Sequence, residues 1–182
     1  MDLVLLAVWC FLVALGGGLV GLVLGNLRLP VVLLVASSPA AGAGANIAIS
    51  AVAAGTAAVA HIRAPAAVVS GAAIGFLGGV VGLILGSLRM PALLRLVGEA
   101  PVRAVGTNVA VGFFVGIAGA LGHLPNAAPD LTPILVGGAA SIPGALLGSR
   151  LTGRLSEREL IRAIGVVLLI AAASMVVEAI AR

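Results

Sequence analysis

Apolar residues along this chain come in long blocks, and the polar residues collect in short joints between them. Blocks with the length and apolarity needed to cross about 30 Å of hydrocarbon, roughly 20 residues each, run from 3 to 25, 43 to 60, 66 to 87, 104 to 122, 131 to 149 and 160 to 180. The pattern predicts an all-α polytopic membrane protein with about six transmembrane helices in one transmembrane domain. The first block carries Asp2 where a signal peptide would be basic, and no clear cleavage site follows it, so it reads as a retained helix. Two joints differ from the rest. Residues 26–45 and 87–103 mix Pro, Gly and Ser with apolar pieces too short to span, such as residues 31–36. They predict broken or re-entrant segments, tolerated at membrane depth only where protein or a water-filled cavity satisfies the backbone.

The chain also repeats itself. Gly18, Gly21, Gly25, Arg28 and Pro30 recur at one constant offset as Gly79, Gly82, Gly86, Arg89 and Pro91. With one inserted residue the match continues, Pro39, Asn46, Ala48 and His61 falling on Pro101, Asn108, Ala110 and His123. Leu-for-Val matches prove little between apolar helices, whereas Gly, Arg, Pro, Asn and His in one order define a repeat. Residues 1–63 form the first unit, 64–126 the second, and 127–182 a closing helical hairpin without a counterpart. Two crossings per unit make the copies parallel, and an additional re-entrant crossing inverts one of them; the sequence leaves both open. In the hairpin, Ser156 and Glu159 have capping-box spacing and fix a helix start. Gly144 and Gly148 share one helix face, the small-residue spacing that lets membrane helices approach closely.

Composition agrees: 62% of residues are hydrophobic and 9% charged, with mean hydropathy +1.29, too apolar for a water-soluble surface. All ten basic residues are Arg, yet they sit at block ends with no aromatic or motif context, which excludes nucleic acid as a partner. Topology explains them. Eight of the ten fall in the first, third and fifth joints, leaving Arg63 in the second. By the positive-inside rule those three joints are cytoplasmic and both termini lie outside the cell membrane. Cys10, the one cysteine, sits inside the first block and reads as a small packing residue.

Arg28 and Arg89 are the sharpest candidates for chemistry. Each has a Gly three residues before it and a Pro two after it, where the helix is expected to break and free backbone groups. A guanidinium beside free amides binds an oxyanion bidentately, and helix N-termini add positive potential. The plainer reading is that both Arg snorkel to the headgroups. Gly25 and Gly86 allow close backbone approach in the same segments. Asn46 and Asn108, preceded by Gly44 and by Gly106 and Thr107, are expected to open the second helix of each unit, either as caps or as anion ligands. Ser50 and Thr107 are weaker candidates nearby. His61 and His123 end those helices, where they suit the dipole or, less simply, a proton relay. Glu178 reads as an interfacial residue. Two His without clustered carboxylates or thiols give no metal site. No nucleotide-binding loop, cofactor motif or nucleophile and base pair is present, so no enzyme is expected.

These motifs resemble the sulfite exporter TauE/SafE family of membrane transporters. The segments Leu27-Arg28-Leu29-Pro30 and Leu88-Arg89-Met90-Pro91 are similar to its Arg-containing motif, and Gly106-Thr107-Asn108 to its helix-opening element. The run from Asp130 to Leu160 is similar to its closing hairpin. The resemblance implies a secondary transporter for a small anion, sulfite or an organosulfonate, working by alternating access. Members usually have about eight crossings in two halves, and here the first half lacks its closing hairpin. That departure implies a minimal transporter or a homodimer or other oligomer. The alternative function is a non-transporting membrane subunit that scaffolds or regulates a partner.

Overall fold

The computed structural model of the chain describes residues 2–22, 24–61, 86–95, 98–123 and 129–180. Every regular element among them is an α-helix: α1 Asp2–Val20, α2 Gly25–Leu33, α3 Pro39–His61, α4 Gly86–Arg95, α5 Pro101–His123, α6 Leu131–Thr152 and α7 Glu157–Ile180. Four of these, α1, α3, α5 and α6, are long and apolar enough to cross a membrane. At 1.5 Å per residue the 23 residues of α3 and of α5 extend roughly 34 Å. The expected block at 66–87 falls almost wholly outside the described residues, and the block at 160–180 lies within α7.

Three sequence expectations are corrected. The first block does not run to residue 25: α1 ends at Val20, and Gly21 turns with φ 71°, a conformation Gly adopts at no steric cost. The break therefore comes before Arg28. Pro30 lies inside α2 and Pro91 inside α4, so neither proline breaks its helix. Asn46 and Asn108 do not open their helices either, since each lies a full two turns inside α3 or α5. The start of α3 is set by Ser38, whose hydroxyl accepts from the Ala41 amide at 3.2 Å, followed by Pro39 at the first helical position.

Helix directions follow from residue neighbours. Gly137 of α6 faces Cys10 of α1, Gly144 faces Phe11 and Leu15, and Gly148 faces Leu15 and Leu19, so α1 and α6 run parallel. Gly137 also faces Ile49, and Ala145 packs with Ala57, which makes α3 parallel to both. Gly119, Gly116 and Phe113 of α5 meet Ile47, Ala51 and Gly55 of α3 in reverse order, so α5 is antiparallel. The chain must therefore return across the bundle between α1 and α3, and α2 with residues 34–38 makes that return. One end of the bundle holds Asp2 and Asp130, the other Arg103, Arg150, Arg154, Arg158 and Arg162. A six-crossing alternation puts the second joint opposite the Arg-rich ones. Here α3 ends at His61 on the Arg-rich end, because the α2 return reverses the count.

The core forms three layers along this axis. Leu6, Cys10, Val32, Ala45 and Ile49 fill the Asp130 end. Val20, Leu22, Met90, Val105, Leu160 and Ile164 fill the Arg-rich end. The layer between them is Ala14, Ala57, Val109 and Ala145, one residue from each of α1, α3, α5 and α6. At Gly144 and Gly148 an added Cβ would strike the carbonyl oxygens of Phe11 and Leu15, so the expected small-residue face is the α1–α6 contact. At the start of α7 the Ser156 amide donates to Glu159 Oε2 at 2.8 Å and the Glu159 amide returns to Ser156 Oγ at 3.4 Å. These bonds from Ser156 hold the Glu159 carboxyl below the usual carboxylate range.

Candidate anion site

Breaking a helix inside a membrane frees carbonyls that lipid cannot satisfy, and at the α1–α2 break several of them find partners within the bundle. The Gly17 carbonyl accepts from the Leu22 amide at 3.0 Å. Thr152 of α6 donates its hydroxyl to the Leu19 carbonyl at 2.7 Å, with Gly18 at 3.2 Å. Asn108 of α5 donates Nδ2 to the Gly21 carbonyl at 2.6 Å. Asn46 of α3 donates Nδ2 to the Gly25 carbonyl at 3.1 Å. Side chains from three helices thus hold the break open. Gly21 is needed for space as well as for φ: an added Cβ would lie 2.6 Å from Val105 Cα.

Arg28 is the largest fully buried side chain among the described residues, 1% exposed. It does not snorkel. Its Nε donates to Asn46 Oδ1 at 3.0 Å, and its Nη2 donates to Ser50 Oγ and, at 3.5 Å, to the Asn46 carbonyl. Ser50 donates onward to that same carbonyl at 2.8 Å. All these partners are neutral, and among the described residues the only carboxylate within ion-pair distance of an arginine is Glu99, paired with Arg103 at 3.2 Å. A guanidinium buried without a counter-ion costs several kcal/mol, of order 3–5 by analogy with broken buried pairs; an arriving anion relieves that cost. Leu24, the N-cap residue of α2, makes no side-chain cap bond, and Arg28 lies in the first turn of that helix. Trp9 anchors the same helix, donating Nε1 to the Leu27 carbonyl at 2.8 Å.

Arg28 borders a cavity in the middle layer, lined also by Val13, Gly17, Leu24, Ser50, Ala53 and Val109. Its free volume is about 20 Å³, room for about one water. The structure brings Arg28, Gly25, Asn46 and Ser50 together: a Cβ at Gly25 would press on Ser50 Oγ at 3.2 Å and Asn46 Nδ2 at 3.4 Å. Thr107 and Asn108 are buried on α5 but do not line the cavity. Gly86 begins α4 and Arg89 lies in its first turn, with the Arg89 side chain outside the described part. His61 and His123 are the last residues of α3 and α5, and their side chains, with that of Glu178, also lie outside it. Sequence reasoning passed over Thr152 and Trp9, since one hydroxyl or indole in an apolar block carries no motif. It underrated Ser50, although Asn46 and Ser50 are one helical turn apart on α3 and so share a face.

Replacing Asn108 with Ala leaves the Gly21 carbonyl without that donor in an apolar layer. The expected loss is about 1–3 kcal/mol, read as a lower melting temperature in detergent. Asn108→Asp, which sets a carboxylate against that carbonyl, is expected to lose more.

The geometry defines a class: a multi-pass helical membrane protein with an interrupted helix and a buried cationic group at its centre. A model of the sulfite exporter TauE/SafE family matches residues 62–175, more than half of the chain, and the chain belongs to that family. Membership implies a membrane transporter of the sulfite or sulfonate type. The matched span includes Arg89, Thr107, Asn108 and the closing hairpin, while Arg28 and Asn46 precede it. Comparison with curated proteins and with solved structures gives no match.

Proposed function

We propose that the chain is a secondary transporter that moves sulfite or a small organosulfonate by alternating access, binding it between α2 and α3 at Arg28. The observation that carries this reading is the burial of Arg28, held by neutral partners only. A fork of N–H donors matches a pair of oxygens on a sulfite or sulfonate group. Sulfite is larger than the single water the cavity admits, so binding requires α2 to swing from α3. A mobile half-helix is the part that alternating access needs.

The duplication supports a second, related site. Arg28 and Arg89 hold the same position in α2 and α4, as do Pro30 and Pro91. Helices α3 and α5 have equal length, start with Pro, end with His and carry Asn at the same place. They run antiparallel, which favours an inverted repeat over a parallel one. In this reading Arg89, Gly86, Thr107 and Asn108 are the residues of the second copy that bind the anion, Arg89, Gly86 and Asn108 corresponding along the chain to Arg28, Gly25 and Asn46. The Arg-rich end is cytoplasmic, and both termini lie outside. A proton or ion gradient drives transport, with His61 and His123 as weaker candidates for a proton relay. A second copy covers the apolar groove of about 370 Å³ between α3 and α5, lined by Gly55, Val59, Phe113 and Phe114, to give a homodimer.

The test is uptake of labelled sulfite by vesicles holding the purified chain. Saturable uptake is expected under an imposed gradient. No flux from correctly folded chain, together with a stoichiometric co-purifying protein, would replace transport with the subunit reading.

A further inference from the structure

The segment that follows α2 is tied across the bundle at one place. The Ser37 amide donates to Asp130 Oδ2 at 2.6 Å, and the Ser37 hydroxyl donates to Asp130 Oδ1 at 2.8 Å. Both carboxylate oxygens are used. Asp130 is the N-cap residue of α6, yet it gives its own helix no side-chain cap bond. Its carboxylate therefore serves the clamp at the expense of the usual capping role. Directly beneath the clamp lies the apolar layer of Leu6, Cys10, Val32, Ala45 and Ile49, which separates the Arg28 cavity from the Asp130 end.

We infer that the Ser37–Asp130 clamp is a latch that keeps the Asp130 end closed over the Arg28 cavity, and that α2 is the lever that releases it. This rests on the transport reading above. The argument is mechanical. Arg28 lies in the first half of α2, Val32 near its end, and Ser37 follows four residues after Leu33. An anion that takes Arg28 from Asn46 and Ser50 loosens the attachment of α2 to α3, and a shift of α2 withdraws Val32 from the plug and pulls on Ser37. The clamp is exposed, so water replaces its two bonds when it opens, and the cost is small compared with breaking a buried pair. A gate that must cycle needs a bond of that kind.

The test uses a Cys10→Ala background in vesicles of known orientation. Ser37→Cys with Asp130→Cys, oxidised to a disulfide, is expected to lower sulfite flux at least tenfold, and reduction is expected to restore it. Unchanged flux in the fully oxidised protein overturns the latch. A second arm does not need transport: Ala53→Cys lines the cavity and is probed with a membrane-impermeant maleimide added at the Asp130 end. Labelling is expected to be at least tenfold faster when Asp130 is also replaced by Ala. Equal rates overturn the latch even if sulfite is carried, whereas faster labelling without any sulfite flux leaves the latch standing and rejects the transport reading.

Discussion

Replacing Arg28 with Gln is expected to reduce sulfite transport by about 30-fold to several thousand-fold, the range set by the 2–5 kcal/mol lost when a buried charged partner is removed. Gln can still bond Asn46 and Ser50, so the loss is one of charge and of the planar donor fork. Arg28→Lys is expected to rescue little, because an ammonium cannot serve Asn46 Oδ1 and Ser50 Oγ while presenting a flat pair of donors to an anion. Stability separates this from a structural role. A buried charge without a counter-ion is costly, so Arg28→Gln is expected to melt at the same temperature as the parent chain or higher, even as flux collapses. A headgroup-snorkelling arginine would give the opposite pair of results, intact transport after the exchange and a small fall in stability. Flux unchanged in the double variant Arg28→Gln and Arg89→Gln would end the proposal that these arginines bind the transported anion.

The second large effect concerns folding. Gly148→Val is expected to cost more than the 1–3 kcal/mol usual for overpacking, because the atoms in the way are backbone and cannot rotate aside. A Cβ there would overlap the Leu15 carbonyl and lie 2.7 Å from the Leu19 amide nitrogen. Relief requires α1 to move away from α6. That movement also strips Gly18 and Gly144 of their contacts and pulls the Leu19 carbonyl from Thr152. The expected readout is loss of the monodisperse species in detergent, or a fall of many degrees in melting temperature. Gly165 supplies the control: it lies inside α7 with open space around it, so Gly165→Ala is expected to be neutral or to stabilise by up to about 1 kcal/mol through helix propensity.

Much of this fold is legible in the sequence because the bilayer imposes a length on each apolar block. What the blocks do not encode is where a helix stops when both sides of the stop are apolar. Residues 3–25 read as one helix, and only the left-handed turn at Gly21, packed on Val105, divides it. The neighbour that requires this turn is distant in sequence, so no local pattern reveals it. Local signals were also outweighed wrongly. Asn46 after Gly44 looked like a cap, while the stronger pair, Ser38 followed by Pro39, already marked the start of α3. For the candidate site, the recurring Arg-x-Pro segments point to Arg28, and the fold places its buried side chain on Asn46. That the guanidinium turns inward to α3, and not outward to headgroups, depends on Ser50 and on the return of α2, both features of the assembled bundle.

The capped break has a consequence for how the protein is made. The carbonyls of Gly18, Leu19 and Gly21 are made well before their partners Asn108 and Thr152, which lie about 90 to 130 residues further along the chain. Until α5 and α6 arrive, that stretch can satisfy its backbone only as a continuous helix or in contact with water. The interrupted form of the first helix is therefore a late product of assembly, completed only once α5 and α6 are in place.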